Sequence, residues 1–167
     1  MSDTVLKLAG IVPETIVNGP GIRMTLFAQG CPHRCAGCHN PDALPFEGGR
    51  EYTVEKILKL AAANPLLDGL TFSGGEPFSQ GSAFGELAAA LRACGLTVWT
   101  YTGYTFEELS GMPDIEILLH NTDVLVDGRY EDGLKSPLLP FRGSSNQRLI
   151  DVKKSLYSGE AVEYILT

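Results

Sequence analysis

The sequence predicts an α/β fold in which a single, mainly parallel sheet curves into an incomplete barrel. Short apolar segments rich in β-forming residues alternate with segments of helical periodicity, a pattern typical of parallel strands joined by right-handed crossovers. A chain of 167 residues is long enough for one domain with a substantial core. It is too short for a closed eight-fold βα barrel, which needs about 250 residues. We therefore expect one domain that spans residues 1–167.

The individual elements follow from local patterns. The predicted strands are Leu6–Leu8, Glu14–Val17, Ile22–Ala28, Leu70–Ser73, Leu96–Thr100, Asp123–Asp127, Arg148–Val152 and Ala161–Leu166. Thr53 is expected to cap a helix over residues 54–63, and a second helix is expected to end at Gly95. Thr105 and Glu108 have the spacing of a capping box for a short helix.

Composition and charge exclude several classes of protein. Thirteen basic and twenty acidic residues give a formal charge of -7, which disfavours direct binding of DNA or RNA. The apolar runs are too short to span a bilayer, so no membrane association is expected. The first residues lack the basic start and apolar stretch of a signal peptide. We therefore expect a cytoplasmic protein.

Three of the four cysteines are clustered within eight residues. Cys31, Cys35 and Cys38 have the spacing C-x3-C-x2-C and follow a predicted strand. Clustered thiols in a cytoplasmic protein indicate metal binding rather than a disulfide framework. Cys94 lies alone at the end of a helical segment, where we expect it to be a small buried side chain.

The spacing also bears on the kind of metal site. Zinc sites usually combine two separated cysteine pairs, and here a second pair is missing. His33 or His39 could supply a fourth ligand, but both lie in the same short loop, and each is more typical of a solvated or hydrogen-bonded loop residue. A cubane iron–sulfur cluster fits better, because three thiolates can hold three corners and leave one iron open to an exchangeable ligand.

A second motif, Ser73-Gly74-Gly75-Glu76-Pro77, follows the next predicted strand. The absence of a β-carbon at both glycines allows a close approach of their backbone to a ligand. Glu76 is suited to a cationic amine or to an ordered network around it. Because ligand sites of parallel sheets collect at the carboxyl ends of the strands, we expect this motif and the cysteines to share a site.

Taken together, the motifs resemble the radical S-adenosylmethionine superfamily. More narrowly, the chain is similar to the activating enzymes of anaerobic ribonucleoside-triphosphate reductase. Besides the cysteine loop, the matching segments are Val17–Arg23, Trp99–Tyr104, Asp123–Arg129 and Arg142–Arg148. Gly37 stands before the third cysteine as in that family, whereas much of the superfamily has an aromatic residue there. Cys38-His39-Asn40 is instead similar to the activases of pyruvate formate-lyase.

The resemblance implies a partial βα barrel of the radical S-adenosylmethionine type and two cofactors, a [4Fe-4S] cluster and S-adenosylmethionine. The expected cluster ligands are Cys31, Cys35 and Cys38. The expected contacts with S-adenosylmethionine are Gly37, Cys38, His39, Gly74, Gly75 and Glu76. Asp127 and Arg129 are further candidates for the methionine or ribose side.

The implied activity is that of an activase, which leaves a glycyl radical on the large subunit of anaerobic ribonucleoside-triphosphate reductase. A flavodoxin or ferredoxin is the expected electron donor. Two alternatives stay open on the sequence alone. The first is another radical enzyme, such as an activase of a different glycyl-radical enzyme or an enzyme with a small-molecule substrate. The second is a non-catalytic zinc or iron–sulfur binding module.

Overall fold

The computed structural model describes residues 3–167 and contains a seven-stranded sheet flanked by helices. The strands are β1 (Val5–Thr15), β2 (Arg23–Ala28), β3 (Arg50–Thr53), β4 (Gly69–Gly74), β5 (Thr97–Tyr101), β6 (Val124–Asp127) and β7 (Arg148–Asp151). The α-helices are α1 (Val54–Ala62), α2 (Gly81–Ala93), α3 (Phe106–Ser110), α4 (Glu116–His120) and α5 (Val152–Ser158). The described part of the chain contains no helix long and apolar enough to cross a membrane.

The strand order is β3-β1-β2-β4-β5-β6-β7. The four neighbours β2, β4, β5 and β6 are parallel to one another. β1 pairs antiparallel with both β2 and β3, and β7 pairs antiparallel with β6. Five strands therefore run in one direction, so the prediction of a mainly parallel α/β sheet is confirmed, with antiparallel pairing confined to its two sides.

Side chains of the central strands alternate between two buried faces, because successive residues of a strand point to opposite sides. On one face, Leu26, Phe72 and Val98 belong to the large core that the sheet forms with the helices. α1 and α2 contribute buried side chains such as Ile57 and Leu87 to this core. Burial on both faces explains why these strands are almost continuously apolar.

The opposite face of the sheet is more polar and carries a second, smaller hydrophobic cluster. Trp99 of β5 packs edge-on against Phe141 and Tyr164. Arg23 of β2 is fully buried and donates hydrogen bonds to Thr71 Oγ1 (2.9 Å) and to groups of neighbouring strands. Desolvation lowers the pKa of Arg23 to about 10, which leaves the guanidinium charged at neutral pH.

The helix caps form as their residue types predict. Thr53 accepts a hydrogen bond from the Lys56 amide at the start of α1. Thr105 and Glu108 form the reciprocal capping box of α3, which confirms that prediction. The predicted second helix is α2, and Gly95 follows its end with a left-handed φ of 83°.

Several predicted boundaries are wrong. The first two predicted strands form one long strand, β1, which ends at Thr15. β3, α4 and α5 were not predicted. Residues 161–166 form no strand, and only an isolated bridge joins Glu163 to Ile150. Cys94 is exposed rather than buried, because it lies in the turn beyond the last residue of α2.

Candidate iron–sulfur and S-adenosylmethionine site

One cavity of about 490 Å³ opens at the carboxyl ends of the parallel strands. Its wall combines the loop after β2, the glycines that end β4 and the residues that follow β5 and β6. A volume of 300–1,000 Å³ is typical of sites for small molecules and cofactors. The polar residues of the lining outside the cysteine loop are Asn18, Ser73, Tyr101, Thr102, Tyr130, Arg142 and Gln147.

The three clustered cysteines all line this cavity, as the sequence predicts. They lie on residues 30–40, which we call the cysteine loop. Cys31 is 8% exposed, and its amide donates to the Leu44 carbonyl (3.0 Å), which ties the start of the loop to the segment that follows it. The Cys38 amide donates to the Cys35 carbonyl (3.2 Å), so these two residues form a tight turn. Burial raises the pKa of the Cys31 thiol.

The donor set fits a cluster better than a single ion. Cys31, Cys35 and Cys38 all line the cavity, and Cys94 lies outside it. Three thiols without a fourth cysteine suit a cluster with one open metal position.

Gly74 and Gly75 line the cavity, and the packing of the chain itself requires glycine at both positions. A β-carbon on Gly74 would lie 2.6 Å from the Ala28 amide nitrogen, and one on Gly75 would collide with the Gly30 carbonyl oxygen. Gly74 also has a φ of 93°, which L side chains rarely adopt. The two glycines therefore allow the end of β4 to pack against β2 and the cysteine loop.

Glu76 lies behind the cavity wall rather than in it. Its side chain is fully buried, and its Oε1 accepts hydrogen bonds from Thr102 Oγ1 (2.8 Å) and from the Gly103 amide (2.9 Å). The same oxygen lies 2.6 Å from Nε2 of His33, and Oε2 accepts from the Phe78 amide (3.0 Å). Through these hydrogen bonds the carboxylate joins the cysteine loop to the segment after β5.

The histidines of the cysteine loop differ in their surroundings. The His33 side chain is buried between Glu76 and the ring of Tyr104, with ring centroids 4.5 Å apart. The contact requires glycine at position 103, because a β-carbon there would collide with the imidazole. His39 lines the cavity and packs against Tyr130. His33 is thus a hydrogen-bonded loop residue, one of the two readings that the sequence allows.

Gly37 and the candidate residues after β6 lie outside the cavity lining. Gly37 has a φ of 75° and packs against Asp132. Asp127 is buried and accepts hydrogen bonds from the Phe106 amide (2.8 Å) and from Arg148 (2.6 and 3.0 Å). Arg129 lies 3.9 Å from Glu108. Asp127 therefore anchors α3 and β7.

Residue types alone did not identify the cavity residues at the end of β5 and in the segment after β6. Tyr101 lines the cavity and donates to the Phe141 carbonyl (2.5 Å). Gln147 accepts from the amides of Gly143 and Ser144 through Oε1 and donates through Nε2 to the Gly128 carbonyl. The family-like segments Trp99–Tyr104 and Arg142–Arg148 were the available signal, although no function followed from their composition.

Comparison with known proteins agrees with the geometry of the site. Residues 17–150 match a family model described as a 4Fe-4S single cluster domain. The anaerobic ribonucleoside-triphosphate reductase-activating protein of Salmonella typhi is 39% identical over 143 residues, which cover 81% of this chain and 92% of the relative. The protein of the same name from Enterobacteria phage T4 is 35% identical over 145 residues, which cover 83% and 90% of the two chains.

A solved structure extends the comparison to the fold. QueE from Escherichia coli aligns with a TM-score of 0.50 at 16% identity, covering 60% of this chain and 54% of the QueE chain. This likeness concerns the fold alone. The sequence relatives span nearly their whole length on this chain, and the 4Fe-4S model includes all three clustered cysteines. The chain therefore belongs to the family of anaerobic ribonucleoside-triphosphate reductase-activating proteins.

Proposed function

We propose that this protein is a radical S-adenosylmethionine activase that generates a glycyl radical on anaerobic ribonucleoside-triphosphate reductase. The observation that carries the proposal is the meeting of three thiols and a Gly-Gly strand end in one cavity at the carboxyl edge of the sheet. Relatives named for activating that reductase supply the identity of the client.

In this proposal Cys31, Cys35 and Cys38 hold a [4Fe-4S] cluster. Three protein ligands leave one position for an exchangeable ligand, as catalytic metal sites do. When bound, the cluster supplies one electron at a potential as low as about -700 mV, which breaks a carbon–sulfur bond of S-adenosylmethionine and yields methionine and a 5'-deoxyadenosyl radical. Hydrogen transfer from a glycine Cα of the client then gives 5'-deoxyadenosine and the glycyl radical.

The protein positions both cofactors through the walls of the cavity. Cys38 and His39 line it from the cysteine loop, and Gly74 and Gly75 line it at the end of β4. We assign contacts with S-adenosylmethionine to these four residues. Gly37 and Glu76 support the site from behind the lining, since Glu76 fixes the loop through His33. Holding reactants in a fixed geometry lowers the barrier that remains.

The architecture supports a macromolecular client. The sheet runs from an edge at β3 to an edge at β7, and no pairing between these strands closes it within the described residues. We propose that the sheet forms an incomplete barrel whose open side admits a loop of the reductase. One electron per turnover then comes from a flavodoxin or ferredoxin. Four free cysteines and a low-potential cluster require a reducing compartment, which supports a cytoplasmic location.

Anaerobic reconstitution with iron and sulfide tests the proposal. We expect brown protein with about four iron and four sulfide per chain. With a reductant it should release methionine from S-adenosylmethionine, and with the reductase it should give a glycyl doublet in the electron spin resonance spectrum. Alanine at any one of Cys31, Cys35 or Cys38 should abolish methionine release. Cys94→Ala is the matched control, because Cys94 is exposed and lies outside the cavity.

The outcomes separate the possible functions. Colourless protein that binds one zinc ion would support a metal-binding module and contradict the radical chemistry. Methionine release without a glycyl doublet on the reductase would retain the chemistry and refute the assigned client. Retained release in one cysteine variant would show that the replaced thiol is not a required ligand.

A further inference from the structure

The charge of the buried Glu76 carboxylate has no role in the proposed function, which uses this residue only to fix the cysteine loop. The side chain is fully buried, and among the ion pairs of residues 3–167 it pairs with His33 and with no Lys or Arg. Four protein groups donate hydrogen bonds to the carboxylate, and these are His33 Nε2, Thr102 Oγ1 and the amides of Gly103 and Phe78. A carboxylate has about four acceptor sites, so protein donors fill them.

Glu76 contacts the cysteine loop on both sides of its first cysteine. Its amide donates to the Gly30 carbonyl (2.8 Å), and its Oε1 lies 2.6 Å from Nε2 of His33. Gly30 directly precedes Cys31, and His33 follows shortly after it. Cys31 is itself 8% exposed, so little water lies around it to screen a charge. Because charges interact more strongly in a buried setting than at the surface, the charge of Glu76 acts on a group that is bound to Cys31.

Electrostatics gives the direction of this effect. In the proposed function an external donor transfers one electron to the cluster, which makes the net charge of the cluster one unit more negative and neither forms nor breaks a bond. A fixed negative charge nearby opposes the added electron and lowers the reduction potential. Net charge, hydrogen bonds and solvent exposure are the properties of the surroundings that set the potentials of iron–sulfur clusters. The hydrogen bonds to Glu76 hold its charge in place beside the loop.

We propose that the buried charge of Glu76 lowers the reduction potential of the cluster that the cysteine loop holds. This inference rests on the proposed function, which supplies the cluster and its electron donor. A lower potential makes the reduced cluster a stronger reductant toward the sulfonium of S-adenosylmethionine, whose carbon–sulfur bond is broken by that electron. Glu76 thus acts on the reaction through the loop, from behind the cavity wall.

The test is an anaerobic redox titration of the reconstituted protein without S-adenosylmethionine. Electron spin resonance measures the ratio of reduced to oxidised cluster at a fixed solution potential. Glu76→Gln removes the charge and nearly keeps the shape of the side chain, so this ratio should rise about tenfold, which equals about 59 mV for a one-electron couple. Glu47→Gln removes the same charge from an exposed position and should change the ratio less than about twofold, because solvent screens that charge.

Thr102→Val separates the charge of Glu76 from the shape of the network around it. The change removes the hydroxyl that donates to Glu76 Oε1 and keeps the charge. The ratio of reduced to oxidised cluster should therefore stay at the wild-type value or fall, since the charge is less compensated. A rise as large as the one expected for Glu76→Gln would overturn the inference, and so would an unchanged ratio in Glu76→Gln. Either variant can refute it if the other fails to fold or to bind iron.

Iron content, visible absorption and the thermal unfolding midpoint show that each variant is folded and loaded. A purely structural role of Glu76 would lower the unfolding midpoint of Glu76→Gln and leave the potential of its cluster unchanged, which would contradict the inference. Methionine release by the wild type distinguishes the two levels, because it persists if only the role of Glu76 is wrong and is absent if the proposed function fails.

Discussion

The buried carboxylate of Glu76 connects two segments that are distant in the sequence. Its partners are His33 in the cysteine loop and Thr102 and Gly103 beyond β5, at separations of 43, 26 and 27 residues. Hydrogen bonds to a charged group contribute about 1.5–3 kcal/mol each when the group is well placed. A single side chain thereby fixes the cysteine loop relative to the opposite side of the cavity.

Glu76→Gln should therefore destabilise the protein. Both carboxylate oxygens accept hydrogen bonds, and the substitution replaces one of them with an NH2 group. That NH2 group is a donor and faces groups that are themselves donors. We expect the free energy of unfolding to fall by about 1–3 kcal/mol, measured by denaturant unfolding. Glu47→Gln, an exposed change, is the control and should leave stability unchanged. Equal stability of the two variants would show that the network around Glu76 contributes little.

For single residues, the sequence predicts which side chains belong to the site better than it predicts which groups those side chains contact. The spacing of Cys31, Cys35 and Cys38 predicted their meeting in one cavity, because all three lie in one short loop. Glu76 was expected to serve a cationic amine or an ordered network around it, and Asp127 was a candidate for the methionine or ribose side. The structure adds that both carboxylates accept hydrogen bonds from protein donors. Which groups surround a side chain at a strand end depends on neighbouring strands, and that information is absent from local spacing.

Arg148 of β7 connects α3 to the end of β6 by contacting one carboxylate of each. Its Nη2 lies 2.7 Å from Glu107 Oε2 and 2.6 Å from Asp127 Oδ2. Hydrogen bonds from Arg148 lower the pKa of Glu107 below its usual value of 4.5. The folded state therefore binds fewer protons on Glu107 than the unfolded state does just below pH 4.5. The resulting stabilisation is present above that pH and is lost as pH falls through the folded pKa.

Glu107→Gln should make the stability of the protein less sensitive to acid. Its unfolding free energy should decline less between pH 5 and pH 3 than that of the wild type, measured by denaturant titration of the cluster-free protein. The difference should stay below about 1 kcal/mol, because the Glu107 side chain is more than half exposed and solvent screens the pair. Glu51→Gln on β3 is an exposed control. An equal change in both variants would show that Arg148 does not hold Glu107 specifically.

The elements that sequence patterns missed are short or depend on tertiary pairing. β3 has four residues, Arg50–Thr53, and is stabilised as a strand by its antiparallel pairing with β1. α4 has five residues, too few for the helical period to stand out. Residues 161–166 are mostly apolar and Tyr164 packs against Trp99, but only an isolated bridge pairs this segment with β7. Long periodic segments such as α1 and α2 were predicted because they carry several turns of the signal.

For the molecule as a whole, alternation of strands and helices predicted the parallel centre but not the antiparallel sides. The direction of β1 and of β7 depends on how the chain re-enters the sheet, which composition does not encode. The result is a sheet with two separate edges and one cavity at the carboxyl ends of its central strands. Large apolar side chains are exposed beside that cavity. Ile16 is 74% exposed next to the lining residue Val17, and Leu138 is 88% exposed next to the lining residue Leu139.

Exposed apolar side chains next to a site indicate a surface that a partner covers. Under the proposed function that partner is the reductase, whose glycine must reach the cavity. Ile16→Asp and Leu138→Asp should therefore lower the yield of glycyl radical about tenfold or more, since each buries a charge on docking. Methionine release in the absence of the reductase should stay at the wild-type rate, because neither side chain lines the cavity.

A matched change elsewhere separates docking from a general effect of surface charge. Tyr157 on α5 is 96% exposed and lies outside the cavity lining, so Tyr157→Asp adds the same charge at a different place. Its glycyl radical yield should equal that of the wild type. If Ile16→Asp and Leu138→Asp activate the reductase as well as Tyr157→Asp does, the client approaches by another face. In that case the exposure of Ile16 and Leu138 has no part in docking.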